Sequence, residues 1–317
     1  MPIGSRRIAT NGIELKIAEQ GEGPLVLLLH GFPESWYSWR HQFEPIAGAG
    51  FKCVAPDMRG YGDSDAPLDI KAYNQVEVVN DIAGLIPALG YDTAIVIGHD
   101  WGAPTAWSCA KDHPELFTAV GALSVPFSPR PESPPLETLQ AIFKGMFFYQ
   151  LYFQTPGVAE AELERDVEVS LRKFLHLASG QADLSGMSPK SADADLLSGL
   201  PDPGKLADWC SPKDLDYYVT QFKKSGFRGP LSYYRNHNET WAMTEDKPKT
   251  IEQPAMFMAG DRDGVITMAA EALKAMPNHV KDLRINELIP GAGHWTQQEA
   301  PGAVNQGILK FLSEVGG

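Results

Sequence analysis

Apolar positions along the chain follow two rhythms. Short, largely apolar runs at 25–29, 51–55, 95–98 and 120–125 have the length and composition of strands covered on both faces. Between them, residues 75–89 carry apolar side chains at 76, 79, 82, 85, 86 and 89, a helical period, and 103–113 reads as a second helix. Upstream, 6–9 and 13–19 flank Thr10-Asn11-Gly12, where Asn-Gly predicts a hairpin turn. Alternating strand and helix predicts an α/β protein with a largely parallel sheet.

After Pro126 the pattern changes. Pro129, Pro131, Pro134 and Pro135 break the alternation, and a long helical region with an aromatic cluster follows, including Phe143, Phe147, Phe148, Tyr149, Tyr152 and Phe153. Residues 179–208, rich in Ser, Gly, Asp and Pro, read as a surface excursion, and helix returns at 212–224. Alternation resumes with a strand at 255–259, a helix at 267–276, a strand at 283–288 and a last helix at 300–314. The expected organisation is therefore one α/β core in two halves, 1–126 and 248–317, interrupted by a helical insert at 127–247.

Composition narrows the function classes. The 317 residues are 43% hydrophobic and 21% charged, ordinary for a globular protein with a full core. A net charge of −13 argues against nucleic acid or an anionic membrane as partner. Residues 1–7 lack the apolar centre of a signal peptide, and no apolar run reaches membrane-spanning length. Cys53, Cys109 and Cys210 are odd in number, widely spaced and without metal-ligand spacing, so a reducing cytoplasm and no metal are expected.

The candidate chemistry sits at the ends of the core strands, where open α/β sheets build their sites. Ile95-Val96-Ile97-Gly98-His99-Asp100-Trp101-Gly102-Ala103 has the layout of a nucleophile elbow, with Asp100 at the tip where a serine hydrolase would carry Ser. Glycines at 98 and 102 suit a turn too tight for Cβ atoms. Taken alone, Asp100 also fits the N-cap of the following helix. His30-Gly31-Phe32-Pro33 follows one strand, Gly260-Asp261-Arg262-Asp263 another, and Gly291-Ala292-Gly293-His294-Trp295 a third. An elbow Asp, then an acid, then a His is the chain order of α/β-hydrolase triads.

These motifs resemble the epoxide hydrolases of the α/β-hydrolase superfamily, in particular the C-terminal hydrolase domain of vertebrate soluble epoxide hydrolases. The resemblance is carried by His30-Gly31-Phe32-Pro33, Gly98-His99-Asp100-Trp101-Gly102 and Gly293-His294-Trp295-Thr296-Gln297. The insert adds Tyr149-Gln150-Leu151-Tyr152-Phe153-Gln154 and the stretch from Gln221 to Leu231. It implies an α/β-hydrolase fold: a mostly parallel eight-stranded sheet, helices on both faces and a helical lid. It also implies Asp100 as nucleophile, His294 as base, Asp263 as orienting acid, and Tyr149 and Tyr234 as lid tyrosines holding the epoxide oxygen. Asp261 stands near Asp263 and Tyr233 adjoins Tyr234; Asp263 is preferred for the Asp-Gly-Val-Ile run that follows and Tyr234 because it precedes Arg235-Asn236. Backbone N–H groups of Phe32 and Trp101 are expected to form the oxyanion hole, and Trp36, Phe148, Gln150 and Trp295 to line the substrate pocket. The chain as read lacks the N-terminal phosphatase domain of the vertebrate relatives, so neither that activity nor a domain-exchanged dimer is carried over; a simple homodimer stays open.

The residue types suit the chemistry. A serine opening an epoxide would form an ether, whereas a carboxylate forms an ester cleavable at its carbonyl carbon. The implied partners are a small apolar epoxide and water, with no cofactor. His30 is expected to brace the oxyanion loop, His99 to pack the elbow, Asp57 and Arg59 to stabilise their own loop, and His237 either to line the pocket or to face solvent. A haloalkane or haloacid dehalogenase also uses an elbow Asp. It typically carries Asn in place of Phe32, or an Arg after the nucleophile, and this chain has neither. A serine esterase lacks its serine here, and a non-catalytic ligand receptor would leave the triad without a role.

Overall fold

In the computed structural model, which describes residues 2–183, 185 and 188–316, Asn11 (φ 43°) and Gly12 (φ 76°) both take the left-handed conformation. A two-residue hairpin loop requires this pair of angles, and it joins β1 (Gly4–Thr10) to β2 (Ile13–Gln20) antiparallel. Six more strands complete one sheet: β3 (Leu25–Leu29), β4 (Lys52–Pro56), β5 (Ala94–His99), β6 (Phe117–Leu123), β7 (Ile251–Gly260) and β8 (Val280–Ile289). Their order is β1-β2-β4-β3-β5-β6-β7-β8. β2 meets β4 antiparallel, and every later pairing is parallel.

The largely apolar runs are explained by cover on both faces. Leu25, Leu27 and Leu29 of β3 pack with Val78, Ile82 and Leu85 of the helix Gln75–Ala88 and with Ala103, Ala106 and Ala110 of the helix Gly102–Asp112. Val26 and Leu28 face the other way, toward Phe43 and Ile46 of the helix Phe43–Gly48 and Ile308 and Phe311 of the helix Pro301–Val315. The β5 and β3 carboxyl ends meet side by side, with Leu29 paired to Gly98.

Several boundaries differ from the sequence reading. The run 120–125 does not stay extended: β6 starts at Phe117 and stops at Leu123, because Ser124 turns the chain at φ 72°. The helix expected at 267–276 is two, Gly264–Met268 and Ala270–His279. Asp263 caps the first through Val265 N–H at 2.8 Å, so it begins earlier than its apolar period indicates. The strands expected at 255–259 and 283–288 run longer, since they pair with each other from Ile251↔Val280 to Gly260↔Ile289 across register shifts. The aromatic region forms short helices, Pro135–Ile142, Tyr149–Tyr152, Val158–Leu163 and Val167–Leu177, separated in part by left-handed Gly145 and Gly157. Helices Pro212–Ser225, Arg228–Arg235 and His237–Met243 follow. Within 179–208 no helix is found among the described residues, and 184, 186 and 187 lie outside them. No helix among the described residues is long and apolar enough to cross a membrane.

The elbow depends on backbones in direct contact. A Cβ on Gly98 would overlap the carbonyl oxygen of Gly102, and one on Gly102 would overlap the carbonyl oxygen of Leu29. Backbone atoms cannot step aside as a side-chain end can. Gly98→Ala is therefore expected to lower stability by about 1–3 kcal/mol, read from the denaturant midpoint. Gly302→Ala, in the last helix with nothing within 4 Å of the new methyl, should leave the midpoint unchanged or slightly raised. Equal effects of the two would contradict the close-contact account.

Candidate active site

Asp100 sits just past β5 with φ 51°, an uncommon angle for a non-glycine residue. Its side chain does not cap the helix Gly102–Asp112, which has no side-chain cap. Instead Oδ1 accepts the Phe32 N–H at 2.6 Å, and Oδ2 lies 3.4 Å from His294 Nε2. Gly31 makes this approach possible, since a Cβ there would overlap both Asp100 Oδ1 and the Trp101 nitrogen. Among the described residues no hydrogen bond runs from the Trp101 N–H to Asp100; that nitrogen and Oδ1 both border the space a Cβ on Gly31 would fill.

His294 follows β8, and its Nδ1 lies 3.2 and 3.3 Å from the two oxygens of Asp263. Asp263 therefore does two things: it caps its helix and faces the imidazole. Asp261 does neither, accepting the Gly291 N–H at an exposed position. A residue absent from the sequence reading stands between the partners. Ser124 Oγ lies 2.5 Å from Asp263 Oδ2 and 2.9 Å from His294 Nδ1. The available signal was a small polar residue at the carboxyl end of a strand neighbouring the elbow strand.

Charge at this cluster is strongly coupled. Burial would lower the pKa of His294, but Asp263 and Asp100 together raise it well above the ordinary imidazole value. Burial would raise both carboxyls, yet His294 above all holds Asp100 and Asp263 below theirs. The two carboxylates thus favour the charged form of the imidazole, and the imidazole favours theirs.

Two tyrosines from the helical segment close over Asp100. Tyr149 and Tyr234 have ring centroids 5.9 Å apart, and Tyr234 packs edge-on against Trp101 and Phe32. Tyr149 Oη accepts from Gln150 Nε2 at 2.9 Å, which leaves its own proton free to donate. Burial pushes the Tyr149 phenol up to about 12 and that of Tyr234 well above its ordinary value, so both stay protonated. Tyr233 is spoken for: its hydroxyl donates to Arg59 O at 2.9 Å.

The four expected pocket residues divide. Gln150 touches the Tyr149 hydroxyl, and Phe148 lies 4.9 Å from the Tyr149 ring while stacking on Phe143. Trp295 and Trp36 make their ring and hydrogen-bond contacts with other groups. Trp295 is 2% exposed, its indole N–H donates to Leu175 O at 2.8 Å and its ring lies 4.8 Å from that of His294, so it buttresses the imidazole. Trp36 is anchored by its N–H to Asp57 and packs on Tyr37, Phe43 and Tyr217, with none of its ring contacts reaching Tyr149 or Tyr234.

The supporting residues are tied in turn. His30 Nε2 accepts the Met58 N–H and its Nδ1 faces Gly31 O, and burial holds its pKa down to about 4, so the neutral ring fixes the loop after β3. Asp57 accepts from Trp36 and Asp63, and burial lifts its carboxyl to about 7. Arg59, expected to serve its own loop, instead forms a buried pair with Asp81 of the helix Gln75–Ala88. His99 does more than fill space. Its Nδ1 lies 2.8 Å from Glu34 Oε2 and its Nε2 2.7 Å from His294 O, so it fastens the loop after β3 to the loop after β8. Glu34, an acid 0% exposed that also accepts from Gln297 and Gln298, had no reading in the sequence. His237 tilts against Trp101 and lines a groove of about 370 Å³ with Pro104, Trp107, Phe127 and Trp241; Asp100 and Tyr149 are not in its lining.

Comparison with known proteins agrees with this geometry. Residues 24–301 match the family described as alpha/beta hydrolase fold. The chain is 41% identical to epoxide hydrolase A of Mycobacterium tuberculosis, covering 97% of each chain. It is 40% identical to bifunctional epoxide hydrolase 2 of Rattus norvegicus, over 95% of this chain and 54% of the rat protein. The solved epoxide hydrolase from an endophytic Streptomyces superposes with a TM-score of 0.95 at 41% identity, covering 98% of this chain and 95% of that one. Epoxide hydrolase A from Mycobacterium thermoresistibile gives 0.93 at 40% identity, with 98% of each covered. With an Asp at the elbow, a facing His–Asp pair and these relatives over nearly its whole length, the chain belongs to the α/β-hydrolase fold family, among the epoxide hydrolases.

Proposed function

We propose that this protein converts small apolar epoxides to vicinal diols through a covalent ester on Asp100, with residues 127–247 acting as a lid. The observation that carries the reading is the split role of the Asp100 carboxylate. One oxygen is held by the Phe32 N–H, the other faces His294, and two protonated phenols stand opposite. In the first step Asp100 forms a C–O bond to the epoxide carbon and the ring C–O bond breaks. The alkoxide takes a proton from Tyr149 or Tyr234. Both phenols keep that proton until the alkoxide appears, because burial has raised them.

Esterification removes the negative charge of Asp100. One of the two carboxylates that favour protonation of His294 is thereby lost, so His294 gives up its proton, the phenol deprotonated in the first step regains one, and the neutral imidazole is available as a base. His294 then takes a proton from water as the water oxygen bonds to the ester carbonyl carbon. The ester C–O bond breaks, the departing alkoxide takes that proton back from His294 to complete the diol, and the proton of the regenerated Asp100 carboxyl returns to His294. The hydrogen bond from the Phe32 N–H to Asp100 Oδ1 supports reading it, with the Trp101 N–H, as donor to the developing oxyanion; such a donor is typically worth about 3–4 kcal/mol. No step calls for a metal or cofactor. Against dehalogenation, Phe32 offers an aromatic ring packed among Phe153, Phe174 and Tyr234 where a halide would need a donor. The buried free thiols Cys53, Cys109 and Cys210 support the cytoplasm as compartment.

Each single variant Tyr149→Phe and Tyr234→Phe should keep measurable diol formation from an aryl epoxide. The double variant should lose about 10²- to 10⁴-fold, with no chloride release from a haloalkane in any of them. Wild-type turnover in the double variant would remove the tyrosines from the chemistry. His294→Gln should still be alkylated but fail to activate water, so intact-mass measurement should find an adduct of one substrate on Asp100. An inactive His294→Gln with no adduct would overturn the ester mechanism.

A further inference from the structure

β5 and β6 are parallel neighbours whose last register pair is His99↔Leu123. The next residue on each strand, Asp100 and Ser124, takes a positive φ, 51° and 72°. Apart from Asn11 in the hairpin turn, no other non-glycine residue does so among the described residues. The Val125 N–H donates to Leu123 O at 2.9 Å, which makes Ser124 the centre of the rare positive-φ γ-turn. The Ser124 N–H is held by Met258 O of β7 at 3.0 Å. Glycine would occupy this position without strain, so the serine is to be explained by its hydroxyl.

That hydroxyl is 0% exposed and has two neighbours. Its distance to His294 Nδ1, 2.9 Å, is shorter than either direct contact of Nδ1 with Asp263, at 3.2 and 3.3 Å. An ionised carboxylate only accepts, so the Ser124 O–H is donated to Asp263 Oδ2 at 2.5 Å, and the serine oxygen is left to accept from Nδ1–H. The charged and titratable groups around His294 are Asp100 at Nε2, Asp263 at Nδ1, the His99 ring at 4.9 Å with Glu34 behind it, Glu299 at the Trp295 N–H, and the two lid phenols. Among the described residues Ser124 alone bonds to both Asp263 and Nδ1.

We propose that Ser124 is a positioning residue for hydrolysis of the Asp100 ester: its hydroxyl links His294 to Asp263 and fixes the ring so that Nε2 faces the attacking water. The link also moderates the base. A carboxylate that accepts the serine proton draws less strongly on the imidazolium, so His294 releases its proton more readily once Asp100 is esterified. The proposal rests on the ester mechanism above and adds a residue to its second step only.

The test uses Ser124→Ala and Ser124→Gly, which both remove the hydroxyl but have opposite effects on the left-handed backbone. Formation and decay of the ester are followed by quenched-flow intact mass with an aryl epoxide, across pH. In both variants alkylation should proceed near the wild-type rate and hydrolysis should slow by about tenfold or more. The acid limb of hydrolysis should move to higher pH in both, because Asp263 without the serine proton holds the imidazolium more tightly. Hydrolysis of wild-type rate and pH dependence in both variants would overturn the proposal. A normal Ser124→Gly beside a slow Ser124→Ala would also overturn it, since the effect would then belong to backbone strain. Ester decay at wild-type speed discards the serine alone, whereas absence of any ester, in His294→Gln as well, discards the mechanism and the serine with it.

Discussion

The structure depends on a steric constraint at one turn. Asp100 must leave β5 in a left-handed conformation so that its carboxylate projects between the loop after β3 and the loop after β8. Only contact between bare backbones allows this. Gly98 rests against Gly102, Gly102 against Leu29 O, and Gly31 against Asp100 and Trp101. The same contacts that strain Asp100 place the Phe32 N–H 2.6 Å from its Oδ1, so this donor is positioned by the packing that makes the turn. Strain of this kind costs about 1–3 kcal/mol and persists where the surroundings over-determine it. Here the surroundings are β3 and β6, each buried on both sides of β5.

Around that turn, charge is arranged so that each step prepares the next. Asp263 and Asp100 both favour the protonated form of His294. In the proposed reaction the first bond formed removes one of those charges, and the same imidazole becomes the base of the second step without any movement. The Glu34–His99 pair adds rigidity to this scheme, since His99 is clamped between a buried carboxylate and the backbone of His294 itself. Trp295 closes the other side through its hydrogen bond to Leu175, tying the base to the helical segment above.

Much of this was legible in the sequence, and the parts that were not share a cause. Largely apolar runs marked the core strands because a parallel sheet buries both faces, and the Gly-x-Asp-x-Gly spacing marked the elbow because only glycine fits there. The placement of Asp100, His294 and Asp263 at successive strand ends followed from the chain order of the superfamily. Ser124 was not legible because an apolar run that continues to Val125 hides the point where the backbone turns. Glu34 was not legible because a lone acid in a loop looks solvated until its partners, His99, Gln297 and Gln298, arrive from distant parts of the chain. The contacts of Trp36 and Trp295 were not legible for a related reason: an aromatic residue next to a motif packs behind a site as readily as it lines one. The helix boundaries near 264–279 were set by the Asp263 cap, which outweighed the apolar period.

The central claim is that Asp100 attacks carbon and does not act as a base. One measurement addresses it directly: a single turnover in ¹⁸O-water with enzyme in excess, followed by mass analysis of both the diol and the peptide containing Asp100. The account predicts an unlabelled first diol, its new oxygen drawn from the carboxylate, and one ¹⁸O retained on Asp100. Label appearing in the first diol with none on Asp100 would contradict it.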